Sequence, residues 1–327
     1  MKKIACICHD IGGYDVISPI FEYLKTAGHD CVFFALGPSA QLYGDNVSEE
    51  EALFEIKQLL DRYELGMLVT GTSWGTDIEV KCIELCNAKN VTTVAVLDYW
   101  SNYKMRFYSK DNKKCVFPKK FFVMDEIAYK EAMADGIDRN ILEITGSPGL
   151  DKYIKRVGLW PSEVPTDDVL FLSQPLSELY GYDLGYTEQS AFADVLEVCQ
   201  DLGRDVKIKF HPKDNCKIRD KFSSYAVCGN LDEVVPHFKV VIGMATMGLL
   251  HAHLLGKPII SYQPGLIGKD MCITNILGLS ERVDSRANLK NILSQRIVPP
   301  RRGMSLIWED GQSTERVVKR LSDLMEE

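Results

Sequence analysis

The sequence predicts an α/β fold built from two doubly wound, Rossmann-like domains that face each other across a cleft. Short apolar runs rich in Val, Ile and Phe alternate with amphipathic segments along the 327 residues. This alternation is typical of parallel sheets with helices on both faces. It stops at 151–166, where Gly158, Trp160, Pro161 and Pro165 indicate a linker, and then restarts. A chain of this length has room for two such domains.

In the first half, apolar runs predict six strands with helices between them. The strands are Lys3–Cys8, Asp30–Ala35, Gly66–Thr70, Thr92–Leu97, Lys120–Met124 and Ile141–Thr145. The helices are Ser18–Ala27, Ser48–Tyr63, Asp77–Asn87 and Glu126–Asp135. Ser48 is followed three residues later by Glu51, which is the spacing of a helix capping box.

The second half repeats this pattern and ends in a helix. Strands are predicted at Val169–Leu172, Asp205–Phe210, Tyr225–Cys228, Lys239–Ile242 and Pro258–Tyr262. Helices are predicted at Glu188–Leu202, Leu231–Pro236, Met247–Leu255 and Ser313–Met325. The domains are therefore expected at 1–155 and 166–312, followed by the C-terminal helix at 313–327.

The composition excludes several classes of function. Lysine and arginine number 38 against 46 aspartates and glutamates, so the net charge of −8 argues against nucleic acid as a partner. The first apolar run is too short for a signal peptide, and no run reaches the ~20 residues of a membrane helix. Most of the ten cysteines lie in apolar runs, which predicts free thiols in a reducing cytoplasm. Cys82 and Cys86 lack the second ligand pair of a zinc site. We expect a cytoplasmic protein, associated with a membrane at most peripherally.

Ligands of doubly wound sheets bind beyond the carboxyl ends of the strands. The first motif there runs from His9 to Asp15 and contains Gly12 and Gly13. The glycines permit a tight turn and close approach to a ligand, but the motif is not the fingerprint of a dinucleotide site. His9, Asp10 and Asp15 are candidates for catalysis or substrate binding. The alternative is that Asp15 caps the following helix.

Two further motifs follow strands of the first half. In 71–76, Ser73 and small neighbours at a helix start suit an anion or a sugar hydroxyl, unless the segment is a plain connection. In 98–103, the carboxylate of Asp98 beside Trp100 suits a sugar. A stretch rich in basic and aromatic residues continues to Lys120. It suggests binding of an acidic glycan, and the alternative is that it forms a solvated β-hairpin.

Three motifs follow strands of the second half. His211-Pro212-Lys213 offers an imidazole and an ammonium group to a phosphate. The segment from Gly243 to Pro258 predicts a strand entering a helix at the N-cap Thr246, whose free amides suit a phosphate. Ser173 and Gln174 follow the first strand of this half. His251 and His253 are two residues apart, do not share a helical face, and are interpreted as structural.

Together these motifs resemble the GT-B superfamily of nucleotide-sugar enzymes. The segment Thr145-Gly146-Ser147-Pro148-Gly149-Leu150-Asp151 looks like the TG-x-P-x-x-D exit from their first domain. The segment from Gly243 to Pro258 looks like their phosphate-binding strand and helix. Asp310-Gly311, followed by a helix with Arg316, resembles their closing helix. The resemblance implies that 313–327 packs back on the first domain.

Two motifs are similar to those of bacterial sialyltransferases and related capsule-polymer enzymes. They are Phe171-Leu172-Ser173-Gln174-Pro175-Leu176 and Phe210-His211-Pro212-Lys213. The resemblance implies that His211 contacts the phosphate of a CMP donor, with Thr246 nearby. It also implies an acidic base in the first domain, for which Asp15 is preferred to Asp10. The chain departs from the pattern at 245–247, where alanine, threonine and methionine replace the usual serines.

The expected function is metal-independent transfer of a sugar from a nucleotide donor, with CMP-sugar favoured, to a glycan or surface-polysaccharide acceptor. No cofactor is expected besides the nucleotide-sugar co-substrate. The expected catalytic residues are Asp15, Asp10 and His211. The expected donor-binding residues are Ser173, Gln174, His211, Lys213, Ala245, Thr246 and Met247. The expected acceptor-binding residues are His9, Gly12, Gly13, Ser73, Asp98 and Trp100.

Three other functions stay open. The loop after the first strand also resembles a nucleotide-sugar hydrolase of nonulosonic acid pathways. UDP-GlcNAc 2-epimerases share the TG-x-P-like exit, but Leu249 and Leu250 stand near the place of their second-domain glutamate. A non-catalytic protein that binds sugar nucleotides is the third.

Overall fold

The computed structural model divides the chain into two compact units. Unit 1 comprises Met1–Lys152 with Gly303–Glu327, and unit 2 comprises Tyr153–Arg302. The structure describes residues 2–44, 47–155, 167–295 and 306–326. Each unit is a Rossmann-like layer of parallel strands with helices, as the alternation of apolar runs predicted.

Unit 1 contains a six-stranded parallel sheet and a separate antiparallel hairpin. Its strands are β1 (Lys3–Cys8), β2 (Cys31–Ala35), β3 (Leu65–Thr70), β4 (Thr92–Val96), β5 (Tyr108–Ser109), β6 (Lys114–Cys115), β7 (Lys120–Val123) and β8 (Leu142–Ile144). Its helices are α1 (Ile11–Thr26), α2 (Gly37–Tyr43), α3 (Glu49–Asp61), α4 (Ile78–Ala88), α5 (Glu126–Ala134), α6 (Pro148–Lys155, which crosses the unit boundary) and the C-terminal α14 (Ser313–Glu326). The sheet order is β2-β1-β3-β4-β7-β8, and β5 pairs with β6.

Unit 2 contains a five-stranded parallel sheet. Its strands are β9 (Asp167–Leu172), β10 (Val206–Lys209), β11 (Phe238–Gly243), β12 (Ile259–Tyr262) and β13 (Arg282–Val283). Its helices are α7 (Leu176–Tyr180), α8 (Glu188–Asp201), α9 (Cys216–Lys221), α10 (Leu231–Val234), α11 (Met247–Leu254), α12 (Ile273–Ile276) and α13 (Arg286–Ser294). The sheet order is β10-β9-β11-β12-β13. In both units the strand order reverses beside the first strand, so the switch points lie at β1/β3 and β9/β11.

Helix α1 begins seven residues earlier than the sequence predicted. It starts at Ile11, so Gly12 and Gly13 belong to its first turn and do not form a tight turn. Pro19 lies inside the helix, although proline is better tolerated in the first turn. The apolar residues of α1 are buried against the sheet and α14, and this packing outweighs the poor helix propensity of glycine and proline.

Helix α14 forms part of the core of unit 1. Val317, Leu321 and Leu324 are buried in the same cluster as residues of α1 and β1. The carboxylate of Asp151 accepts hydrogen bonds from the backbone N–H groups of Ser313 and Thr314 at 3.1 and 2.8 Å. This charge at the start of α14 stabilises the helix N-terminus.

Of two other predicted elements, one is confirmed and one is wrong. Ser48 and Glu51 form the predicted capping box at the start of α3. The strand predicted at Tyr225–Cys228 is wrong, because only Ala226 pairs with Ile208, through an isolated bridge. The predicted linker 151–166 begins inside α6, and its residues 156–166 lie outside the described part. Among the helices that the structure describes, none has the length and apolar character needed to cross a bilayer.

Candidate functional site

Unit 2 contains a pocket of about 150 Å³ beyond the carboxyl ends of β9, β10 and β11. Its lining includes Gly248 and five residues with polar side chains, namely Ser173, Lys209, His211, Thr246 and His251. The pocket lies at the β9/β11 switch point, where sheets with this strand order bind ligands. We refer to it as the unit 2 pocket.

The loop that carries His211 is held by a network of hydrogen bonds. The backbone N–H of His211 donates to Asp214 Oδ2 at 2.8 Å, and the N–H of Asp214 donates to the His211 carbonyl at 3.0 Å. Arg219 donates through Nη2 to the carbonyls of His211 and Pro212, and through Nε to the carbonyl of Asp214. The loop is therefore fixed before any ligand arrives.

The same loop selects one tautomer of His211. The backbone N–H of Lys213 donates to His211 Nδ1 at 3.1 Å, so Nδ1 acts as an acceptor and the proton of the neutral ring lies on Nε2. Burial lowers the pKa of His211 below its ordinary value, and the nearby charge of Asp214 opposes this effect. At neutral pH the ring is therefore an uncharged donor through Nε2.

The start of helix α11 forms another wall of the pocket. Thr246 Oγ1 accepts the backbone N–H of Gly248 at 3.2 Å, as expected of an N-cap. The side chain of Gln174 accepts the N–H of Ala245 at 3.3 Å and joins the loop after β9 to that after β11. Lys209 lines the same pocket, and its Nζ donates to the carbonyl of Gly229. A helix N-terminus near a lysine and an imidazole suits a phosphate.

The structure brings part of the predicted donor-binding set together. Ser173, His211 and Thr246 line the unit 2 pocket, while Gln174 and Ala245 connect its walls. Lys213 is exposed, and neither it nor Met247 is among the lining residues.

Sequence reasoning missed three residues of this lining. Lys209 precedes the histidine-proline pair by two positions on a strand, and Gly248 and His251 lie in α11. His251 was interpreted as structural, whereas it lines the pocket and its ring stacks on Tyr153 with centroids 4.2 Å apart. The signal for Lys209 was present, because alternate residues of a strand share one face.

In unit 1, the carboxylate of Asp10 lies at the centre of a network at the β1/β3 switch point. Its Oδ1 lies 2.8 Å from His9 Nδ1, and its Oδ2 accepts the backbone N–H of Trp74 at 2.8 Å. Burial alone would raise the pKa of Asp10, but the bonds from His9 and from the Trp74 and Gly75 amides outweigh it and lower the pKa. Asp10 is thus ionised and holds the loop after β3.

Glu79 supports the same loop from beneath. Its carboxylate accepts the backbone N–H and the hydroxyl of Ser73, each at 2.8 Å, and Ser73 Oγ in turn accepts the N–H of Asp10 at 3.2 Å. Burial raises the pKa of Glu79 to about 7, although the bonds from Ser73 oppose this. A chain of contacts therefore links Asp10, Ser73 and Glu79.

Asp98, predicted to bind the acceptor, is occupied by contacts within the protein. Its Oδ1 accepts the guanidinium of Arg106 at 2.6 Å and the hydroxyl of Thr72 at 3.2 Å. Arg106 is buried and also donates to the hydroxyl of Thr72 and the carbonyl of Ser101. The other oxygen lies against Gly12, where a Cβ would come within 2.1 Å of it. Asp98 therefore joins the loop after β3, the segment after β4 and the first turn of α1.

Two other predicted residues have different surroundings from those expected. Trp100 was expected to stack on a sugar, but it is buried and its Nε1 donates to Asp125 at 2.9 Å, so its ring offers no open face. Asp15, the preferred base, lies on α1 and forms an ion pair with Lys152 at 2.7 Å. Its half-exposed carboxylate remains open to solvent on one side.

The unit 1 network contains three residues that the sequence did not mark: Glu79, Trp74 and Arg106. Glu79 looked like an ordinary helical residue, and Arg106 like one charge in a basic stretch. His9, Gly13 and Ser73 do lie in the network, with Gly13 close to Cys8, Gly71 and Glu79. Within the described ranges, no group of histidine, cysteine and acidic residues has the geometry of a metal site, and Cys82 and Cys86 are free.

A model of the alpha-2,8-polysialyltransferase family matches residues 78–235. This range contains Asp98, Ser173 and His211, and it ends before Thr246. No curated protein sequence matches the chain.

Solved structures with the same fold cover both units. A UDP-GlcNAc 2-epimerase from Methanocaldococcus jannaschii is 14% identical, with a TM-score of 0.72 over 98% of this chain and 99% of the other. The enzyme of that name from Neisseria meningitidis, bound to UDP-GlcNAc, is 11% identical, with a TM-score of 0.67 over 98% and 100%. A lipopolysaccharide outer core galactosyltransferase is 13% identical, with a TM-score of 0.53 over 98% of each chain.

These structures share the fold of two Rossmann-like domains known as GT-B, which confirms the predicted fold class. The matched polysialyltransferase model adds a similarity to enzymes that transfer sugars. The chain is an enzyme with the GT-B fold, similar to enzymes that transfer or modify sugars.

Proposed function

We propose that the protein is a glycosyltransferase that moves a sugar from a nucleotide donor, with CMP-sugar favoured, to a hydroxyl group of a glycan. One observation carries this proposal. The unit 2 pocket joins His211, Lys209 and the start of α11 within 150 Å³, and its histidine-proline loop falls in the segment matched by the polysialyltransferase family. The Neisseria meningitidis epimerase of similar fold is bound to UDP-GlcNAc, so the identity of the donor nucleotide is the most specific part of the proposal.

The proposed role of the pocket is to hold the donor phosphate. His211 Nε2 donates a hydrogen bond, Lys209 supplies positive charge, and the positive end of the α11 helix dipole favours the anion. When the bond between the sugar and the phosphate oxygen breaks, negative charge grows on the leaving nucleotide. Groups already fixed in place stabilise that charge without reorganisation. Because these groups supply the positive charge that stabilises the leaving nucleotide, the proposed reaction does not require a metal ion.

The proposed base is a carboxylate of unit 1. The acceptor oxygen attacks the anomeric carbon, and its proton passes to the base as the new C–O bond forms. Asp10 already accepts bonds from His9, Trp74 and Gly75, which leaves it poorly placed to take a further proton. Asp15 is half-exposed and pairs with Lys152 at the protein surface. We therefore propose Asp15 as the base and Asp10 as the residue that organises the neighbouring loop.

The test is a transfer assay with the full chain, a panel of CMP-, UDP- and GDP-sugars, and oligosaccharide acceptors, with products followed by mass spectrometry. Extension of an acceptor from a CMP-sugar is expected. His211→Ala should lower kcat/KM by about a hundredfold or more, which is typical of losing one donor to a developing anion. His237→Ala, which changes an exposed histidine outside the pocket lining, is the matched control and should stay active.

Other results would redirect the assignment. Release of nucleotide without an acceptor would indicate a hydrolase, and inversion at C2 of UDP-GlcNAc would indicate an epimerase. An active His211→Ala protein would refute the proposed role of the pocket. Tight nucleotide binding without turnover of any donor would indicate a non-catalytic binder.

A further inference from the structure

An exposed apolar surface flanks the Asp10 network of unit 1. Trp74 is 59% exposed and Ile11 is 54% exposed. Ile11 follows Asp10 in the chain and begins α1, while the backbone N–H of Trp74 donates to Asp10. Two large, exposed apolar side chains therefore belong to residues whose backbone adjoins or is bonded to Asp10. The surface formed by Trp74, Ile11 and Asp10 is called the Trp74 platform below.

The loop under this platform is held more firmly than an ordinary connection. Ser73 is buried and bonded through both its amide and its hydroxyl to Glu79. The next two amides, those of Trp74 and Gly75, face Asp10. The backbone on each side of the indole is thus fixed from within unit 1, while the ring itself points outward. Because the segment that carries the ring is already ordered, binding a ligand there costs less entropy than ordering a mobile loop would.

The other tryptophans in the described part of the chain behave differently. Trp308 is fully buried and Trp100 nearly so, and both indole N–H groups donate to Asp125. Trp74 alone among these three leaves most of its ring in water. A single exposed apolar residue needs no explanation, but an exposed tryptophan on an ordered loop, with its backbone bonded to a carboxylate, is the pattern of a recognition site.

The chemistry of the platform identifies the class of ligand. A pyranose ring has an apolar C–H face that packs on an indole, and hydroxyls at its rim that donate to carboxylates. Ile11 and Asp15 are four residues apart on α1 and therefore share a face of the helix, so the platform continues toward Asp15. We propose that the Trp74 platform is a sugar-binding subsite that holds the acceptor glycan by stacking a pyranose ring on the indole. This proposal rests on the proposed function, because that function supplies the acceptor.

Direct binding of glycans tests the subsite without requiring turnover. An α2,8-linked sialic acid trimer and neutral maltotriose are the probes, and their affinities are measured by titration calorimetry on the full chain. Trp74→Ala should weaken the bound probe by about tenfold, the effect of losing one aromatic contact, and Trp74→Phe should restore most of it. Phe54→Ala removes an aromatic side chain of similar exposure on α3 and should leave binding unchanged.

The outcomes separate this proposal from the proposed function. Loss of glycan affinity in Trp74→Ala, with nucleotide binding unchanged, supports the subsite even if no transfer is detected. In the transfer assay the same variant should raise KM for the acceptor and leave KM for the donor unaltered. Equal affinity of wild type and Trp74→Ala overturns the subsite, and so does failure of the wild type to bind either probe at millimolar concentration.

Discussion

Burial of a carboxyl group makes the loop after β3 sensitive to pH. Glu79 holds Ser73 through two hydrogen bonds, yet burial raises its pKa to about 7. Asp10, in the same network, has a lowered pKa because its bonds from His9, Trp74 and Gly75 outweigh its burial. The two carboxyls thus differ in charge at mildly acid pH, because burial dominates at Glu79 whereas hydrogen bonds dominate at Asp10.

The free energy of unfolding should report the proton on Glu79. The folded protein keeps this proton up to pH about 7, whereas the unfolded chain releases it near the ordinary range for glutamate. Stability should therefore fall as pH rises from about 5 to 7.5, by at most about 3 kcal/mol, and change little above that. Urea unfolding of wild type and Glu79→Gln across this range measures the effect. The Gln variant should lack this slope, and parallel profiles for the two proteins would contradict the account.

Individual site residues differed in how far the sequence revealed them. His211 and Thr246 could be predicted, because a proline fixes one strand end and a threonine stands where a strand enters a helix. Glu79, Arg106 and Trp74 could not, because their roles depend on which loops meet in space. Trp100 was expected to stack on a sugar for the same reason, because the sequence does not show that Asp125 and Trp308 contact its ring.

Among the elements, helix α1 shows how packing determines the shape of a site. Its first turn contains two glycines because Asp98 lies against one of them, and Cys8, Gly71 and Glu79 lie near the other. The apolar face further along α1 is buried with β1 and α14. The close approach of the helix brings the loops after β1, β3 and β4 together around Asp10, Ser73 and Asp98.

Gly12→Ala should destabilise unit 1, although alanine normally favours a helix over glycine. The new Cβ would lie 2.1 Å from Asp98 Oδ2, and Asp98 cannot move freely because Arg106 and Thr72 hold it. A loss of about 1–3 kcal/mol in the free energy of unfolding is expected. The double variant Gly12→Ala/Asp98→Ala removes the clash and should lose less than the sum of the single changes. Strict additivity in urea unfolding would refute this contact.

Most elements could be predicted from the period of apolar residues, and their order gave the fold class. The errors fall where tertiary contacts override local preference. Helix α1 begins at Ile11, seven residues before the predicted start at Ser18, and only one isolated bridge forms in the predicted strand 225–228. Short helices such as α9 and α12 carry too few turns to show a period.

At the scale of the whole molecule, both units use the same design. Each places its polar network at the point where the strand order reverses: the Asp10 network beside β1 and β3, and the unit 2 pocket beside β9 and β11. The chain ends in α14, whose apolar face completes the core of unit 1. Fold similarity extends over both units to epimerases and a galactosyltransferase, so the fold alone leaves the reaction open and the side chains must decide it.

Nucleotide binding by the full chain tests the central claim most directly. Thermal unfolding is measured with CMP, CDP, UMP, UDP, GDP and their common sugar conjugates, since a ligand that binds only the folded state raises the midpoint. We predict a selective rise with CMP or a CMP-sugar in wild type and in His237→Ala, and its loss in His211→Ala. An equal rise in His211→Ala, or no rise with any nucleotide, would contradict a donor phosphate held in the unit 2 pocket.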